Sequence, residues 1–182
     1  MSGISRYCEI SRSQKLANRG SGPYGALQGH LARANDQLWT SDLEVDALAI
    51  FAGPDAYVSP TYYPSKASDG RVVPTWNYVV VHVTGRLMVH DDPAWTTDLV
   101  RRLTEQHEAG RPEPWSIADA PGDHVARLVR AVVGFEMVVT GIEGKRKLSQ
   151  NVGADAVGVH AGLSAGGVRE RRVASAMRDF ID

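Results

Sequence analysis

Four short segments concentrate the side chains able to bind or react. Gly141-Ile-Glu-Gly-Lys-Arg-Lys-Leu-Ser-Gln-Asn places two glycines beside three cations and three hydrogen-bonding side chains. Glycines let a backbone approach a ligand closely. Lys145, Arg146 and Lys147 with Ser149, Gln150 and Asn151 suit a phosphate ester or the polar edge of a flat heterocycle. Only two residues separate Gly141 from Gly144, so this is not a Walker A loop. A solvated hairpin turn with lysines is the plainer alternative, because charge runs usually face water. Val73-Pro-Thr-Trp-Asn-Tyr-Val-Val-Val-His offers Trp76 and Tyr78 for stacking and Asn77 and His82 for hydrogen bonds. Its alternative is an ordinary strand with aromatics in the core. Gly29-His-Leu-Ala-Arg-Ala-Asn brings His30 and Arg33 to a strand end, where they suit an anion or a surface ion pair. In Gly53-Pro-Asp-Ala-Tyr-Val-Ser-Pro, Tyr57 and Ser59 alternate onto one face, as in a ligand-lining strand or a plain edge strand.

Other chemistries lack their residues. His107-Glu108 has no second histidine four residues away, so the zincin pattern is absent. The serines lack a G-x-S-x-G elbow, and no nucleophile–base–orienter set stands out. No metal ligands and no catalytic residues are assigned. A single cysteine, Cys8, rules out an intrachain disulfide and fits a reducing cytoplasm. Lys and Arg total 20 against 21 Asp and Glu, for a net charge of −1, which argues against a strongly basic, phosphate-tracking surface. The opening residues lack the apolar run of a signal peptide. No stretch reaches the roughly 20 apolar residues that span a bilayer. A soluble cytoplasmic protein is the expectation.

The elements that must position these segments follow from patterning. Residues 1–23 are polar and patternless, and read as a divergent, poorly ordered segment. Tyr24 to about His30 reads as a strand, with a turn or short helix after it. Ala47–Phe51 reads as a buried strand that Gly53-Pro54 breaks, and an extended piece restarts at Ala56. Residues 61–74 read as a surface loop. Thr75–Val89 is the clearest strand: Trp76, Tyr78, Val80, His82 and Thr84 share one face, and Asn77, Val79, Val81 and Val83 the other. Both faces are largely apolar, so the strand belongs at the centre of a sheet.

Asp92-Pro93 predicts a helix start, the aspartate as cap and the proline in the first turn. Trp95, Leu99 and Leu103 form its apolar stripe, and Asp98 can pair with Arg102. The helix should end near Gly110. A second should follow Asp123, with Val125, Leu128, Val129 and Val132 as its stripe. Phe135–Ile142 predicts a strand, Gly141–Gly144 a turn, and Ala154–Ile181 two helices split at Gly166-Gly167. Strands, a helical insertion, a strand and closing helices make an α+β chain rather than a doubly wound one.

The segments at Gly29, Gly53, Val73, Gly134-Phe-Glu and Lys147-Leu-Ser-Gln-Asn stand in one order and spacing. In that, the chain resembles the PaiB family of FMN-binding negative transcriptional regulators, from about Tyr24 to Leu163. The resemblance implies an FMN-binding split β-barrel over residues 24–152, a helical insertion at about 92–132 and a C-terminal helical segment at 153–182. It implies a homodimer with FMN in clefts at the interface. On that basis Arg33, Lys145 and Lys147 are phosphate candidates. His30, Trp76, Asn77, Ser149, Gln150 and Asn151 would lie nearer the ring or ribityl chain, with Tyr57, Ser59 and His82 completing the set.

Residues 1–23 depart from the family pattern. Asp55 stands where a histidine is expected and Val152 where an arginine is expected. An added carboxylate and a lost cation both weaken an anion site. DNA enters as a partner by family analogy alone. Arg169, Arg171, Arg172 and Arg178 in the last helices read as a DNA-facing or a solvated face. Two other functions stay open: a flavin-dependent oxidoreductase, and a haem-binding split barrel with His30 or His82 as ligand.

Overall fold

The computed structural model describes residues 7–9 and 23–181. Its strands are β1 (Tyr7–Glu9), β2 (Ala26–Ala32), β3 (Ala47–Val58), β4 (Thr75–His90) and β5 (Val132–Lys147). Its helices are α1 (Gln37–Thr40), α2 (Pro93–Glu108), α3 (Gly122–Arg130), α4 (Asp155–Ser164) and α5 (Val168–Met177). The strands form one sheet in the order β1-β3-β4-β5-β2. β2 pairs antiparallel with β5, Ala26 opposite Val138 and Ala32 opposite Val132, while β1 lies parallel to β3. The sheet, the helical insertion between β4 and β5, and the closing helices make the α+β architecture of the split-barrel class. As its two apolar faces require, β4 is the middle strand. Most of the sequence reading for residues 1–23 falls outside the described residues. Within it, Tyr7–Glu9 is a strand rather than loop.

Three boundaries differ from the sequence reading. β3 runs unbroken through Gly53-Pro54. Gly53 is there because β4 passes close: a Cβ would stand 2.8 Å from the Val79 carbonyl oxygen. β5 runs through Gly141–Gly144, where a turn was expected, and the chain turns only after Lys147. Residues 61–74 are not merely a surface loop. Two 3-10 turns, Pro60–Tyr62 and Pro64–Ala67, carry Tyr63 into the core.

The chain divides into two compact units, residues 1–50 with 82–142, and residues 51–81 with 143–182. In the first, Leu27, Val83, Leu99, Val133, Phe135, Met137 and Val139 are buried. Asp92 caps α2, accepting from the Ala94 N–H with Pro93 in the first turn, as its sequence predicts. Gly134 lets the Trp95 ring lie where a side chain would be, 2.3 Å from an ideal Cβ. The stripe expected on α3 is narrower than predicted. Val129 is buried, Leu128 is exposed, and Val132 already belongs to β5.

In the second unit, Ala56, Val58, Leu148, Val159, Leu163, Val173 and Met177 build one core. Val152, where an arginine was expected, packs against it. Gly158 and Gly162, four apart on α4, admit the residues of the first 3-10 turn: Cβ atoms there would lie 2.3 Å from the Tyr62 carbonyl oxygen and 2.4 Å from the Tyr62 ring.

Candidate functional site

Alternation along the strands of the second unit sorts its side chains onto two faces. Ala56 and Val58 of β3 and Asn77 of β4 point into the core beneath the C-terminal helices. Arg146 of β5 reaches the same side, donating through Nη2 to the Ala176 carbonyl and to the Asp179 carboxylate, each at 2.8 Å. Their neighbours Asp55 and Tyr57 on β3 and Trp76 on β4 therefore face outward, while Lys145 and Lys147 are exposed at the end of β5. Exposure agrees, since Tyr57 is 48% and Trp76 43% accessible.

On that outer face the Tyr57 and Trp76 rings meet edge-on, centroids 6.2 Å apart at 61°. Arg169 of α5 lies over the Trp76 ring, its guanidinium carbon 5.4 Å from the centroid. Its Nε donates to Asp55 Oδ1 at 2.7 Å and to the Asp55 carbonyl at 3.2 Å, and Nη2 also donates to Oδ1. The carboxylate at position 55 is thus answered by an arginine that sequence reading had assigned to a helix face. Lys147 Nζ donates to Thr75 Oγ1 at 2.6 Å. Among the described residues no carboxylate pairs with either lysine.

The inner side carries a polar group that shapes the turn after β5. Ser149 sits at φ +64°, a left-handed conformation unusual for a residue with a side chain. Asn77, fully buried, holds it: Nδ2 donates to Ser149 Oγ at 2.9 Å, and Oδ1 lies 3.2 Å from the same hydroxyl. Tyr63 shares a hydrogen bond with Ser149, yet burial pushes its phenol above the usual range, with the nearby Asp155 carboxylate adding to the rise. Asp155 accepts from Ser65 N–H at 2.9 Å and Ser65 Oγ at 2.6 Å. Gln150 bridges the turn, its Oε1 accepting from Leu148 N–H and its Nε2 donating to the Arg146 carbonyl, both at 2.7 Å. Asn151 is exposed beside it. Ser59 caps the first 3-10 turn, accepting from Thr61 N–H at 3.2 Å.

His30, Arg33 and His82 belong to the first unit. Arg33 forms a two-point ion pair with Asp91 (Nη2–Oδ1 2.6 Å, Nη1–Oδ2 3.1 Å) and donates through Nε to the Arg130 carbonyl. This hydrogen bond holds the Asp91 carboxyl below its usual range. His30 Nδ1 is buried with no hydrogen-bond partner among the described residues, and burial lowers the imidazole pKa. His82 is half-buried on β4. Among the described residues no cluster of three His, Cys, Asp or Glu side chains could hold a metal ion.

The twelve candidate residues thus separate by place: Tyr57, Trp76, Lys145 and Lys147 are exposed on the second unit, Asn77, Ser149 and Gln150 brace the turn after β5 with Asn151 exposed beside it, Ser59 caps the first 3-10 turn, and His30, Arg33 and His82 belong to the other unit. Sequence reading missed Arg169 and Tyr63. No local signal marks either, since Arg169 meets Asp55 across 114 residues.

The element order and sheet define the split-barrel class. Residues 9–141 match the family described as "Putative FMN-binding domain". An uncharacterised protein of Aspergillus fumigatus is 31% identical over 172 residues, covering 76% of this chain and 66% of that protein. One of Emericella nidulans is 30% identical over 171 residues, covering 79% and 68%. "Protease synthase and sporulation protein PAI 2" of Bacillus subtilis is 32% identical over 125 residues, covering 69% of this chain and 58% of that protein. The chain thus belongs to the PaiB family of FMN-binding-domain proteins, and it spans about two-thirds or less of the length of these relatives. Among solved structures, the flavocytochrome Anf3 of Azotobacter vinelandii aligns with a TM-score of 0.42 at 15% identity, covering 67% of this chain and 50% of that one.

Proposed function

We infer that this chain binds FMN and acts in the cytoplasm, as a homodimer, as a PaiB-type negative regulator of transcription. The observation that carries the flavin part is the outer face of the second unit. There an accessible indole on β4 and phenol on β3 stand in the same sheet as β5, which ends in two exposed lysines with no carboxylate partner among the described residues. A flat ring with a dianionic tail needs those two things, an aromatic surface for stacking and cations for the phosphate. The residues present fit that group. Trp76 and Tyr57 would hold the ring, and Lys145 and Lys147 the phosphate. Asn77, Ser149 and Gln150 would act by fixing the turn that follows β5. When bound, FMN supplies one- and two-electron redox chemistry.

The regulatory part rests on family membership and on a relative named for protease synthase and sporulation. A net charge of −1 and the engagement of Arg169 by Asp55 weigh against the last helices as a phosphate-tracking DNA surface. Purified protein should acquire a flavin absorption band on addition of FMN and elute at the size of a dimer. Promoter DNA titrated at two salt concentrations tests the regulatory reading. A shift that weakens steeply with salt supports direct repression, and no shift on any fragment of its own upstream region counts against it.

A further inference from the structure

The Asp55–Arg169 pair is a charged contact on the aromatic face that neither the turn nor the core uses. A guanidinium carries five N–H donors in a planar fork. Asp55 engages Nε and one edge of Nη2, and the described residues supply no partner for Nη1. The fork lies over the Trp76 ring and remains 62% accessible. It therefore presents an aromatic surface and unspent cationic donors at one place, with a carboxylate behind them.

We propose that Arg169 is a specificity-determining residue of this face, selecting flat heteroaromatic ligands that carry an anionic group over neutral ones of the same shape. The proposal rests on the flavin reading and deepens it. A neutral ring that stacks on the covered side of Trp76 must displace the guanidinium and gives it nothing in return. An anionic ligand can accept from the outward edge of the fork while its ring uses the indole, so Arg169 is kept rather than expelled. Asp55 works in the opposite sense. It holds the fork in place, but its charge repels the same anion. A histidine at position 55, as the resemblance implies, would not. Removing each partner should therefore move anion selectivity in opposite directions.

The test compares the affinity for FMN with that for riboflavin, which differs by the phosphate alone, read by quenching of flavin fluorescence on the full chain. Three variants are compared with wild type: Arg169→Gln, Arg169→Lys and Asp55→Asn. In Arg169→Gln the FMN-to-riboflavin affinity ratio should fall by about three- to tenfold, the scale of a partly exposed charge-assisted contact. Arg169→Lys, which keeps the charge but not the fork, should fall by less. Asp55→Asn should raise the ratio. Far-ultraviolet circular dichroism checks that each is folded. If the ratio is unchanged in Arg169→Gln, or if Arg169→Gln and Asp55→Asn move it the same way, the proposal is overturned while the flavin reading stands. A wild-type chain that binds neither flavin overturns both.

Discussion

At the scale of single residues, chemistry and folding compete for the same side chains. Asn77 and Ser149 have the right types to touch a ligand, but the structure spends both on each other inside the core. Burying an amide is tolerable only when it is bonded, and a left-handed serine needs something to hold it. Two substitutions separate these effects. Ser149→Ala leaves the Asn77 amide without its partner and keeps the backbone strain, so it should cost about 1–3 kcal/mol in urea unfolding. Ser149→Gly loses the same bond but relieves the positive φ, so its cost should be smaller by up to about 1 kcal/mol. Equal losses would show that the conformation at Ser149 carries no strain. Asn151→Ala, at an exposed position, should change the urea midpoint little.

Elements show where the sequence was readable and where it was not. Thr75–Val89 and Asp92-Pro93 announce their structure through alternation and capping, which are local. Gly53-Pro54 misleads because glycine marks both a turn and a close approach of neighbouring backbone, and only the partner strand decides which; Gly141–Gly144 misleads because the same residues are tolerated inside a long strand. The four segments that suggested a ligand were legible by residue type. Their division into outward and inward faces was not, because it depends on which side the C-terminal helices cover. Arg169 lay beyond any local reading. Glycine inside a helix ordinarily weakens it, yet Gly158 is the place where α4 touches the Tyr62 backbone. Gly158→Ala should gain about 1 kcal/mol in helix propensity, but a methyl 2.3 Å from a carbonyl oxygen cannot be accommodated by rotating a side chain. The net effect should be a loss of about 1–3 kcal/mol, seen as a lower Tm. Val157→Ala on the exposed side of the same helix serves as the control and should leave Tm nearly unchanged or slightly raised.

For the whole molecule, stability should fall on mild acidification, and the sign follows from His30. Its folded-state pKa lies below the usual value because the ring is partly buried. The unfolded chain therefore takes up a proton first. The histidine's contribution is complete above about pH 6.5 and shrinks as pH drops from there towards the folded-state value. Asp91 acts lower down. Arg33 depresses its carboxyl, so that pair's contribution is present above the ordinary carboxylate range and disappears as pH falls through the depressed value. Chemical unfolding between pH 7.5 and pH 5 should show declining stability in wild type and a flatter profile in His30→Leu. Parallel profiles would remove His30 as the cause.

The central claim is that the exposed surface of the second unit grips a flavin through Trp76 and the two lysines at the end of β5. FMN titration by fluorescence quenching, on wild type, Trp76→Leu and Lys145→Ala/Lys147→Ala, tests it most directly. The account predicts saturable binding at one FMN per chain, weakened about tenfold or more by loss of the indole. It also predicts weaker binding, with a reduced dependence on salt, in the double lysine variant. Wild-type affinity retained in both variants would contradict it.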